Sequence, residues 1–99
     1  MLWYAVRCVF RHRPVGGYQE RITLWRAASF DDAIGQAEAE AAEYPAEYIG
    51  LAQVYALSDD PAASGAEVFS LIRRSKLTPD AYLDRFFDTG AEFQGGPLR

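Results

Sequence analysis

The sequence predicts an α+β domain of order β-β-α-β-β-α: a four-stranded, mostly antiparallel sheet with two helices packed on one face. Three observations carry this. Residues 2–12 and 18–27 alternate apolar and polar side chains around a proline–glycine turn. Residues 29–44 switch to helical spacing. Two more strand-like runs follow, then the helix start Thr78-Pro79-Asp80.

The first run, 2–12, sets Leu2, Tyr4, Val6, Cys8 and Phe10 on one face and Trp3, Ala5, Arg7, Val9 and Arg11 on the other. Residues 13–17, RPVGG, supply the residues a tight turn needs, so a hairpin is expected. On the second run, 18–27, Tyr18, Ile22 and Leu24 share a face that Glu20 and Arg26 interrupt near its ends. Gln19, Arg21, Thr23 and Trp25 share the other.

Ser29 can cap a helix, because its hydroxyl can accept from a first-turn N–H; Asp32 makes the pattern an imperfect capping box. Asp31 and Asp32 also suit the positive end of the helix dipole. Phe30, Ile34, Ala37, Ala41 and Tyr44 form the expected buried stripe. Pro45 should end the helix near Tyr44, since the residue before proline avoids helical geometry.

Residues 47–57 form the third expected strand. Ile49, Leu51, Tyr55 and Leu57 line one face; Gly50, Ala52, Val54 and Ala56 line the other, small enough to lie under a close-packed helix. SDDPAASG, 58–65, reads as a loop, and AEVFSLIRR, 66–74, as strand four. Thr78 and Pro79 open the second helix, with Tyr82, Leu83, Phe86 and Phe87 as its buried side and Gly90 at its end. Both helices are placed on one face because each has one apolar stripe to bury. Residues 1–94 are expected to form one domain and 95–99 a disordered tail.

The chain of 99 residues is 49% hydrophobic and 24% charged, a composition that fits a folded domain and neither a disordered chain nor a membrane-spanning one. The start, Met1-Leu2-Trp3, has no charged region of the kind that opens a secretory signal, so the expected location is cytoplasmic. Cys8 is the single cysteine, which suits a reducing compartment and a small buried hydrophobe.

Charge is segregated. Residues 1–28 carry Arg7, Arg11, Arg13, Arg21 and Arg26 against Glu20, a balance of +4. Residues 29–66 carry Asp31, Asp32, Glu38, Glu40, Glu43, Glu47, Asp59 and Asp60 with no basic residue, a balance of −8. Such a division can steer association or hold two parts of a fold together.

WYAVR, ERITLWRAASFDDAI, the Ala/Glu helix ending in EY, YIGLAQVYAL, GAEVFSLIR and YLDRFFDTG, taken in order, resemble a bacterial family of small single-domain proteins catalogued only as a domain of unknown function. The resemblance spans residues 2–94. It implies a stand-alone bacterial domain and brings no activity, cofactor or catalytic residue with it.

Residues for chemistry are few. His12 and Cys8 are the only histidine and cysteine, so zinc has no ligand set. On a strand their side chains stand about 13 Å apart, too far for proton transfer. Asp80, Asp84 and Asp88 repeat along one helix face, a pattern that suits a solvated face beside Arg85 better than a cation site. Gly16-Gly17 lacks the spacing of a phosphate loop, and no G-x-S-x-G is present. No enzyme activity, cofactor, catalytic residue or metal is expected.

If the first two strands pair in phase, Trp3, Arg7, Arg11, Arg21 and Trp25 all project from the outer face of the sheet. Tryptophan and arginine are enriched in protein interface hot spots, and they can also stack bases. Arginine stems can equally cover tryptophan rings with no ligand involved. The expectation is a non-catalytic protein-interaction module, self-associating as a dimer through that face. The alternatives are nucleic-acid binding through the Arg-rich hairpin, which the acidic middle segment opposes, and a small acidic immunity or inhibitor protein using Glu38, Glu40, Glu43 and Glu47. No membrane partner is expected.

Overall fold

The computed structural model describes residues 1–94; the expected tail, 95–99, lies outside the described residues. Three antiparallel strands form one sheet: β1 (Leu2–His12), β2 (Gly17–Ala27) and β3 (Glu47–Ala56), in the order β2-β1-β3. Helix α1 (Phe30–Glu43) connects β2 to β3, and a short helix α2 (Pro79–Tyr82) runs into a π-helical turn, Leu83–Phe87. The α+β class is therefore present, with three strands rather than four.

The turn between β1 and β2 is closed by Gly16, whose N–H donates to the His12 carbonyl at 2.9 Å. Gly16 has φ +74°, a left-handed conformation in which a Cβ would be strained. The turn sets His12 opposite Gly17, and an unbroken register follows to Leu2 opposite Ala27. The β1–β3 ladder is less regular. Between Cys8↔Ala52 and Phe10↔Tyr48 the register shifts, and Gly50, with φ +81°, sits in the bulge.

The start of α1 follows its sequence signals. The Ser29 hydroxyl accepts from Asp32 N–H at 3.1 Å, and the Asp32 carboxylate accepts in return from Ala28 N–H at 2.9 Å. The helix stops at Glu43, ahead of Pro45. Its buried line is Ala33, Ala37 and Ala41. That is a correction to the expected stripe: Phe30 is exposed and stacks edge-on against Tyr4, and Ile34 is half-buried. Alanines let the helix sit close on Tyr4, Val6, Cys8 and Phe10, the inner face of β1. Ala52, Val54 and Ala56 of β3 pack around that core on the helix side, as their small size implies.

Two further expectations are corrected. Residues 66–74 take up no ladder, so the fourth strand is absent among the described residues. The segment crosses the outer face of the sheet instead, where Phe69 meets Tyr55 with ring centroids 5.9 Å apart. The second helix begins as expected, with the Thr78 hydroxyl facing Ala81 N–H and Pro79 at the first position. It does not pack on the sheet beside α1; its expected buried side chains, Leu83, Phe86 and Phe87, are exposed and Tyr82 is only partly covered. No helix among the described residues is long and apolar enough to cross a membrane.

Candidate interaction site

The cross-strand register decides which side chains share a face. Cys8 lies opposite Arg21 and Tyr4 opposite Trp25, so Arg21 and Trp25 point toward α1. Trp3 lies opposite Arg26, Arg7 opposite Ile22 and Arg11 opposite Tyr18, so these six share the outer face. The five residues expected together are thus split: Trp3, Arg7 and Arg11 outside, Arg21 and Trp25 beneath the helix. The cause is the turn, which sets β2 one residue out of the assumed phase, and a one-residue slip turns every side chain to the opposite face.

On the helix side, the misplaced pair has structural work. Trp25 packs against the core and donates its indole N–H to the Thr23 hydroxyl at 2.7 Å. Arg21 donates to Glu40 at 2.7 Å, and its guanidinium lies 4.2 Å from the centre of the Tyr44 ring. The bond to Glu40 raises the Arg21 pKa further above its ordinary value, fixing its charge. Tyr44 donates to Gln19, which also meets His12 at 2.6 Å. Tyr48 donates to Glu38 at 2.5 Å. Burial first, and the Glu38 bond second, push the Tyr48 phenol up. Burial also pushes the Cys8 thiol up, which keeps it protonated and poorly nucleophilic. This network fastens α1 to the sheet; Arg21–Glu40 joins the basic first segment to the acidic second, as does the exposed Arg13–Glu47 pair at 3.1 Å.

The outer face is composed differently. Arg7 is held by Gln53, by Glu20 at 3.6 Å and by the Phe69 ring 5.0 Å away. Arg11 leans over Tyr18 and Arg26 over Trp3, each 5.9 Å from the ring centre. A bond to Glu67 raises the Tyr55 phenol and ties the crossing segment to β3. That segment meets the sheet at Arg7 and Tyr55. On β2, Ile22 remains 44% exposed and Leu24 39% exposed, with Glu20 and Arg26 beyond them along the same edge. Leu51 and Ile49 are exposed at the far end of β3. Ile22 and Leu24 were missed because the apolar residues of β2 read as its inward face. Turn length was the one available signal, since it sets the register.

Other chemistry is sparse. Arg11, His12, Arg13, Gly16, Gly17 and Tyr18 line a shallow hollow at the hairpin end. Among the described residues, no three His, Cys, Asp or Glu side chains gather closely enough to hold a metal ion. No protein-family model, curated protein or solved structure matches the chain.

Proposed function

We propose that the protein is a non-catalytic protein-interaction module that self-associates through the outer side of its sheet. The observation that carries this reading is the incomplete cover of the outer face. Helix α1 buries one face, while Ile22 and Leu24 stand exposed on the other beside Trp3, Arg7 and Arg11. Adjacent exposed apolar side chains rimmed by charge mark contact surfaces. The arginines favour a protein partner over nucleic acid, because Arg7, Arg13 and Arg21 already face carboxylates that would repel phosphate. Light scattering across a concentration series tests the reading. A mass of twice the chain is expected at the higher concentrations, and Leu24→Glu is expected to shift it toward the single-chain mass. A single-chain mass throughout would overturn it.

A further inference from the structure

We infer that the second copy joins edge to edge along β2, in antiparallel register about a two-fold axis at Thr23, extending the sheet to six strands. The inference rests on the self-association proposed above and places its seam at the β2 margin of the outer side, where Ile22 and Leu24 lie, rather than across Trp3, Arg7 and Arg11.

The first observation is the direction of the backbone. Leu57 N–H donates to the Trp3 carbonyl at 2.9 Å, so the polar groups of Trp3 face β3. Trp3 lies opposite Arg26, which makes that pair the non-bonded kind in the β1–β2 ladder. The N–H and C=O of Arg26 therefore point away from β1. Gln36 Nε2 donates to the Arg26 carbonyl at 3.0 Å from the helix, as that direction requires. Strand alternation carries the same direction to Leu24, Ile22, Glu20 and Tyr18. These residues present the open edge of β2, and their side chains lie on the outer face.

The second observation is the pattern along that edge. In Glu20-Arg21-Ile22-Thr23-Leu24-Trp25-Arg26, a two-fold axis at Thr23 sets Glu20 opposite Arg26 of the second copy and Ile22 opposite Leu24 of the second copy. Each pairing occurs twice. Beneath the sheet the same axis sets Arg21 beside the second copy's Trp25. The register pairs only residues whose backbone groups point outward, which permits about six ladder hydrogen bonds besides the two Arg26 carbonyls that Gln36 already engages. Opposite charges end each apolar pair, and an interface of this kind must be complementary to itself. Sterics permit it: the two central strands would stand about 14 Å apart, room for two helices of about 10 Å diameter side by side.

Charge reversal tests the register on the full chain. Glu20→Arg sets like charges opposite each other at both ends of the interface. It is expected to raise the dimer dissociation constant at least about tenfold in sedimentation equilibrium, with an unchanged circular dichroism spectrum. Glu20→Arg combined with Arg26→Glu restores both pairs and is expected to return the constant to within about threefold of the starting chain. Within one chain these positions stand about 20 Å apart, so the rescue has to act between copies. A dimer indifferent to Glu20→Arg, or one that the second change fails to restore, overturns the edge register while leaving self-association standing. A starting chain that is monomeric throughout overturns both.

Discussion

Phe10 and Phe87 are the same residue in two different situations. Phe10 is fully buried on β1, with the Tyr44 and Tyr48 rings 4.7 and 5.6 Å away. Phe87 closes the π-helical turn and is 75% exposed. The contrast extends to the regions that hold them. Every buried hydrophobic residue among those described lies between Tyr4 and Leu57, and none lies in 58–94. The first region pairs its backbone groups in two ladders and a capped helix, with the outward edge of β2 left open. The second is held by side chains: Phe69 on Tyr55 and Arg7, and Arg73 over the Phe86 ring. Apolar residues alone do not make a core. They need a partner surface, and in this chain α1 and the inner face of β1 provide one to each other.

The contrast predicts a graded response to truncation. Phe10→Ala should cost the most, about 3–5 kcal/mol in urea unfolding, since it removes a full ring and leaves a cavity. A loss under 1 kcal/mol would place the core elsewhere. Trp25→Ala should follow at about 2 kcal/mol, because Trp25 is half-buried and packs on the core rather than facing solvent. Unchanged stability with lost association would return Trp25 to the surface role its sequence context suggests.

Alkaline pH should weaken the first region by a smaller amount. Burial raises the Cys8 thiol pKa in the folded state, so folding favours the protonated form. That contribution is complete below the unfolded thiol value of about 8.5 and is lost as pH rises through the higher folded value. Urea midpoints measured at pH 7, 9 and 10 should fall more steeply for the native sequence than for Cys8→Ala. Parallel declines would show that the thiol contributes nothing. Smallest of all, Phe87→Ala should change stability by less than about 0.5 kcal/mol. A loss comparable to Phe10→Ala would erase the distinction between the two regions.

Legibility in the sequence follows the same division. β1, β2, α1 and β3 were bounded to within a residue or so, because alternation, Ser29 and Pro45 act locally. The facing of β2 was not legible: Ile22 with Leu24 and Trp25 with Ala27 make both faces plausible, and a turn outside the strand decides between them. Residues 66–74 carry a strand pattern, yet pairing needs a neighbour that local pattern does not describe. Thr78 and Pro79 announced a helix start correctly, but nothing near them encodes its failure to dock. The candidate surface was half legible, since Trp3, Arg7 and Arg11 follow from β1 alone, while Ile22 and Leu24 depend on the register.

The bulge at Gly50 bears on what the two margins of the sheet can become. A sheet with two straight margins can recruit neighbours at both, and repeated recruitment is how fibrils lengthen. Here β2 is regular along its whole length, whereas β3 is broken midway by an irregularity that disrupts ladder pairing. If two copies pair through their regular margins as proposed, only bulged ones would be left to offer, and assembly would terminate at a closed pair.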